Sequence, residues 1–215
     1  MTIYLQETLN LTPATPETLD NFVELSQKLL IPACEHLGAR MVVAWFSNYE
    51  WYSQVTHVFE FDNLDALKEF RINTSQDKEW GEYTSELDFF APERRSRLLE
   101  PIGAIPPDIL HKAIDESQET PQKVYSFATL DVTPNKMIEF VDFVNELSKN
   151  APIIASWRPI AGKPNEVNDL WKGSLIPQGY QPAVEGLKPW FKRLRELAPK
   201  ERLILIFPLP YSQLQ

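Results

Sequence analysis

The chain repeats itself. Residues 3–13, IYLQETLNLTP, align with residues 124–134, VYSFATLDVTP, so Tyr4 falls on Tyr125 and Thr12-Pro13 on Thr133-Pro134 at an offset of 121. MVVAWFS at 41–47 aligns with IIASWRP at 153–159, which puts Trp45 on Trp157 at an offset of 112. QVTHVF at 54–59 aligns with EVNDLW at 166–171 at the same offset, and APERRSRLLEPI at 91–102 with APKERLILIFPL at 198–209 at 107. Four blocks in one order mark an internal duplication, so whatever fold the first half adopts must be built a second time by the other. The falling offset makes the first copy longer in two places. These are read as surface segments, where length changes are tolerated.

Each copy reads strand, helix, strand, strand, helix, strand. Each first block is β-rich and ends in Thr-Pro, a pair suited to starting a helix: threonine caps orphan N–H groups and proline fits the first turn. A helix over roughly 16–37 carries Leu19, Phe22, Val23, Leu25, Leu29 and Leu30 at helical spacing and stops at Gly38. The matching stripe in the second copy is Met137, Phe140, Val141, Val144 and Leu147. Further helical stretches are expected around 63–88 and 180–197. The order βαββαβ with both helices on one face is the ferredoxin-like motif. The expected class is therefore α+β, with repeat 1 at 1–102, a connector with a short helix at 103–122, and repeat 2 at 123–215. A sheet covered by helices on one face leaves a second apolar face to bury. Two such units in one chain are expected to pack sheet to sheet as an α+β barrel around a small-molecule cavity. A further homodimer would use exposed aromatics such as Tyr49-Glu50-Trp51-Tyr52 or sheet edges; the competing arrangement pairs unit 1 with unit 1 of a second chain and unit 2 likewise.

Composition narrows the partners. The net charge of −9, from 21 basic and 30 acidic residues, disfavours nucleic acid and anionic membrane surfaces. A single cysteine, Cys34, rules out an intrachain disulfide and a cysteine metal cluster. Three separated histidines give no paired zinc spacing, and seven glycines leave no glycine-rich phosphate loop. No secretory leader and no membrane span is read, so the expected location is the cytoplasm.

The first copy resembles a NIPSNAP domain of the dimeric α+β barrel superfamily. The resemblance rests on Ile3–Thr8, Pro32–Arg40, Val43-Ala44-Trp45-Phe46 and above all Gln54-Val55-Thr56-His57-Val58-Phe59-Glu60-Phe61-Asp62-Asn63-Leu64. It covers about residues 3–102, with Trp80 and Tyr83 as further aromatics of the pattern. The second copy departs from it, since Asp169 stands where the first has His57. The resemblance implies a small-molecule barrel. Its chemistry would be cofactor-free proton transfer (isomerisation or cyclisation) or monooxygenation of an apolar or aromatic metabolite. It equally permits a non-catalytic ligand-binding or interaction protein. No metal or organic cofactor is expected. Haem occurs in some branches, which would make His57 an axial ligand, but no motif supports it.

The candidate catalytic residues are His57, Tyr4, Tyr125 and Asp169. His57 shares a strand face with Val55, Phe59 and Phe61. Its ordinary pKa, near 6.5, suits proton transfer at neutral pH, the other reading being a buried ring satisfied by the backbone. Asp169 would orient it if the two approached across the barrel, and Tyr4 or Tyr125 would polarise a ligand oxygen. The candidate ligand-binding residues are Gln6, Trp45, Trp51, Phe59, Trp157 and Arg158. The tryptophans would serve as walls, with Trp51 in a hairpin that is a lid, a subunit contact or a loop packed on its own barrel. Arg158 is read as a carboxylate or phosphate anchor or as a surface arginine.

Overall fold

In a computed structural model, which describes residues 1–176, 180, 182 and 185–215, eight strands are hydrogen-bonded in the order β1-β3-β2-β8-β5-β7-β6-β4, closing on itself as a barrel. The strands are β1 (Ile3–Asn10), β2 (Arg40–Ser47), β3 (Gln54–Phe61), β4 (Glu93–Pro101), β5 (Tyr125–Asp131), β6 (Ile153–Pro159), β7 (Glu166–Lys172) and β8 (Lys200–Pro208). The chain forms two compact units. One comprises Met1–Leu99, Ile114–Pro121 and Phe207–Gln215, and the other Glu100–Ala113 and Gln122–Ile206.

Within the first unit β1 lies between β3 and β4, and β3 between β1 and β2, all antiparallel. The second unit repeats this with β5 between β7 and β8, and β7 between β5 and β6. The strand order is that of a ferredoxin-like unit, and the register carries the sequence offsets through. Tyr4 pairs with Leu99 and Tyr125 with Ile206. Ala44 pairs with His57, and Ser156 with Asp169. Even the bulges coincide, at Met41/Val43 and at Ile153/Ala155. Backbone bonds of 2.7 Å run from the Thr12 N–H to the Phe90 carbonyl and from the Thr133 N–H to the Leu197 carbonyl.

The Thr-Pro pairs therefore tie the end of each unit's first strand to the C-terminal residue of its last helix, and do not start helices. The first helix, α1 (Pro16–Leu25), starts three residues further on. Its cap is Thr15, whose hydroxyl accepts the Thr18 N–H at 3.2 Å. A π turn at Ser26–Leu30 and α2 (Ile31–Leu37) continue it to Gly38, which ends it at φ 72°. α3 (Leu64–Thr74) and α4 (Lys78–Phe90) complete this unit. α5 (Pro107–Glu119) occupies the connector and is longer than the short helix expected there.

The second unit has less helix. α6 (Met137–Leu147) has 11 residues, where the first unit has an unbroken run from Pro16 to Leu37. α7 (Lys188–Leu197) has 10 and follows a short 3-10 turn at Glu185–Leu187; positions 181, 183 and 184 of the expected 180–197 helix lie outside the described residues. So the drop in offset from 121 to 112 falls inside a core-packing helix. The reading of that length difference as a surface change is corrected. In the first unit the extra turns bury Leu30, Ala33 and Cys34 beside Phe22, Val55 and Phe59. The second unit's core, built on Val132, Phe140, Val144, Val167 and Leu197, has no such turns to draw on.

The C-terminal segment belongs to the first unit. The Leu209 N–H donates to the Ala44 carbonyl (3.0 Å), and the Ala44 N–H to the Ser212 hydroxyl (3.0 Å). This places Tyr211 among the aromatics of the first core.

Candidate functional site: a pocket under the helices of the second unit

Residues directly paired across strands share a sheet face. Asp169 pairs with Ala128 and Ser156, and Trp171 with Ser126 and Ile153. Ala128, Ile153 and Trp171 pack with Phe140 of α6, so this is the face the helices cover. Between sheet and helices lies a pocket of about 530 Å³. Phe140, Phe143, Trp171, Trp190 and Phe191 give it aromatic walls, and Leu130, Leu147, Leu194 and Leu203 fill the gaps. Phe143 and Trp190 meet with centroids 5.3 Å apart. Trp190 and Phe191 stand at its rim, 37% and 57% exposed.

Asp169 is a buried carboxyl in the wall, which also carries Asn150, Arg195 and Glu201. It is 3% exposed, and its Oδ1 accepts a hydrogen bond from the Ser156 hydroxyl. Burial pushes its pKa up to about 7, the Ser156 hydrogen bond pulls it back, and the Glu201 carboxylate raises it further. A carboxyl poised near neutrality can give or take a proton at little cost. The Nε1 of Trp171 is buried with no hydrogen-bond partner among the described residues. Arg195 is the one cation in the pocket lining among the described residues. It donates to the Glu201 carboxylate and to the Ala198 carbonyl (3.3 Å).

His57 occupies the equivalent position of the first unit, where the longer helix fills the space. It has no exposed surface. Phe22 stacks on its ring with centroids 6.0 Å apart, and Phe59 and Tyr211 contact its edges. Its Nε2 shares a 2.9 Å hydrogen bond with the Tyr211 hydroxyl, while Nδ1 has no partner among the described residues. Burial lowers its pKa to about 3, which keeps the ring neutral and poorly basic. Phe59 belongs to this packed core too. A haem iron could not reach such a ring, so the residues present do not fit that group.

The other candidates lie elsewhere. Tyr4 pairs with Glu60 and Leu99, on the sheet face opposite His57, and Tyr125 pairs with Lys172 and Ile206, opposite Asp169. A strand's alternate residues cannot converge, so the expected pairing of these tyrosines with His57 and with Asp169 in one constellation is corrected. Trp45, opposite Thr56, and Trp157, opposite Asn168, also lie on the sheet faces opposite the helices of their units, and both are buried. Gln6 lies there as well, and its Oε1 accepts from Arg97 Nε at 2.9 Å. Trp51 donates Nε1–H to the Leu11 carbonyl at 2.8 Å, which pins the hairpin to its own unit. Arg158 is held by Glu100 at 2.6 Å. No group of His, Cys, Asp and Glu able to hold a metal occurs among the described residues. None of their helices is long and apolar enough to cross a membrane.

Asp169, a candidate from the sequence as an orienter of His57, lines this pocket, whereas Phe140, Phe143, Trp171, Trp190 and Phe191, which also line it, and Ser156, which bonds Asp169, were not among the candidates. One signal was available: nine residues missing from a buried helix must leave either a collapsed core or a hole.

Eight strands closed from two ferredoxin-like repeats define a tandem α+β barrel. Within it, residues 13–103 match the NIPSNAP family model. Solved structures share the architecture over nearly the full length. A protein from Lactobacillus acidophilus named a "putative monooxygenase" has a TM-score of 0.65 at 9% identity, covering 99% of this chain and 96% of that one. Another of that name from Fusobacterium nucleatum has a TM-score of 0.62 at 8% identity, covering 97% and 92%. An anthrone oxidase-like protein has a TM-score of 0.55 at 12% identity, covering 96% and 91%. At these identities the likeness establishes the fold alone. Comparison with curated proteins finds no match.

Proposed function

We propose that the protein is a small-molecule-binding barrel whose second unit holds an apolar metabolite under α6 and α7, and that Asp169 exchanges a proton with it. The observation that carries this reading is a buried carboxyl, set near neutrality, in the wall of a largely apolar pocket of about 530 Å³. That volume lies in the range of about 300–1,000 Å³ typical of small-molecule sites. The reaction class this supports is proton transfer without a bound cofactor, as in isomerisation or cyclisation. Two structures named "putative monooxygenase" share the fold, which supports cofactor-free oxygenation as a further reaction class. A binding protein without turnover is the second reading. It is favoured by one observation: the hydrogen-bond partner of Asp169 is a serine, and the other carboxylate of the lining, Glu201, is engaged by Arg195 and not by Asp169. We further propose that the chain acts in the cytoplasm, on its own small-molecule ligand and not on nucleic acid.

Native mass spectrometry of protein purified from its source organism tests the binding. A retained molecule, lost in a Leu147→Trp variant that fills the pocket, is expected. Once the molecule is known, turnover that collapses in Asp169→Asn while binding persists supports catalysis. Turnover unchanged in that variant removes Asp169 from the chemistry. A molecule retained equally by Leu147→Trp overturns the site.

A further inference from the structure

The pocket's chemistry says what its occupant must carry. Resting on the ligand site proposed above, we infer that the ligand is a flat aromatic molecule bearing an un-ionised oxygen, a carbonyl or its enol, and that carboxylates and phosphates of the same shape are rejected.

Shape comes first. Five aromatic side chains (Phe140, Phe143, Trp171, Trp190 and Phe191) line the space, with leucines between them. Rings favour offset or edge-to-face partners, so a planar ligand matches these walls better than a branched aliphatic one.

Charge comes second. The ionisable groups lining the pocket among the described residues are Asp169 on β7, Glu201 on β8 and Arg195 on α7. The guanidinium of Arg195 is engaged by Glu201 and by the Ala198 carbonyl. An anionic ligand would have to break that pair, or sit unpaired between two carboxyl groups. Either costs desolvation that nothing returns. Guanidinium forks that do hold anions keep their donors for the ligand, and this one does not.

Polar recognition comes third. Ser156 occupies Oδ1 of Asp169, which leaves Oδ2 as the oxygen able to meet a ligand. In its protonated form that oxygen donates to a carbonyl, and in its ionised form it accepts from an enol. The same atom thus matches both tautomers of one molecule. Trp171 adds an indole N–H that has no acceptor among the described residues. A site built this way discriminates by what it leaves unpaired, which is a stronger filter than ring shape.

The test uses two probes with one ring system, 2-acetylnaphthalene and 2-naphthoate, titrated into the full chain at neutral pH by isothermal calorimetry. The ketone is expected to bind at least about tenfold more tightly than the carboxylate, the scale of one unpaired buried charge. Asp169→Asn removes the repulsion and should narrow that ratio, mainly by improving the carboxylate. Leu147→Trp and, independently, Ala151→Phe fill the cavity and should abolish both, with circular dichroism reporting that each variant is folded. Equal or tighter binding of the carboxylate overturns the ligand class while leaving the pocket intact, provided the filling variants still block it. Binding that survives both filled variants, or no binding of either probe, overturns the pocket itself.

Discussion

Replacing Asp169 by Asn leaves the shape of the wall and keeps an acceptor for the Ser156 hydroxyl, but removes the proton. The folded chain holds that proton up to about pH 7, whereas an exposed aspartate releases it near its ordinary value of 3.8. The sign follows. Below the ordinary value both states are protonated and the carboxyl costs nothing. As pH rises to about 7 the unfolded state ionises first, so stability falls; above that it is level. A shift of this size corresponds to about 4 kcal/mol at most, from 1.36 kcal/mol per unit. His57 acts in the opposite direction. Its folded pKa of about 3 lies below its ordinary 6.5, so acid destabilises the fold over that window. The two slopes oppose each other in the wild type between about pH 4 and 6.5, which makes its profile look flatter than either group alone. The difference between Asp169→Asn and the wild type isolates the carboxyl. Urea unfolding at a series of pH values should show the variant equal to the wild type near pH 4 and several kcal/mol more stable by pH 8. A difference that stays constant with pH would refute the assigned environment of Asp169.

Three further outcomes are expected. In a histidine-resolved NMR titration, His36 should titrate above its ordinary value, because Nδ1–H donates to the Pro32 carbonyl (2.8 Å) and Nε2–H to Asp77 (2.7 Å); His57 should stay neutral until the fold fails. Cys34, 4% exposed with its thiol pushed up to about 12 by burial, should react with a thiol reagent only in denaturant; prompt labelling of the native chain would contradict its packing. Phe22→Ala, at a site with no exposure, should cost about 3–5 kcal/mol in urea unfolding, whereas Trp190→Ala at the pocket rim should cost well under that.

Much of the fold was legible because duplication doubles every signal. The offsets of 121, 112 and 107 reappear as strand pairings and as a shared bulge, because register in a half-buried sheet is set by the alternation of side chains. Helix starts were less legible. Thr12-Pro13 and Thr133-Pro134 have the chemistry of a cap, but the threonine N–H groups donate to the Phe90 and Leu197 carbonyls and the helices start further on. The site was legible only in part. Asp169 stood out against His57, yet its partner Ser156 emerges only when β6 is laid beside β7. The role expected of His57 failed on packing: a ring that suits proton transfer in water is silenced when Phe22 and Tyr211 enclose it. Nothing in the residue types distinguishes the two situations. The length of the neighbouring helix does, since the turns present from Ser26 to Leu37 are those missing after Leu147.

A crystal structure of the chain with 2-acetylnaphthalene bound tests the central claim most directly, because two surfaces compete for an apolar ligand. Density between α6, α7 and β7, with the ketone oxygen within hydrogen-bond distance of Asp169, is the predicted result. Density instead on the sheet faces opposite the helices, against Tyr4, Gln6 and Trp45 or against Tyr125 and Trp157, would contradict it.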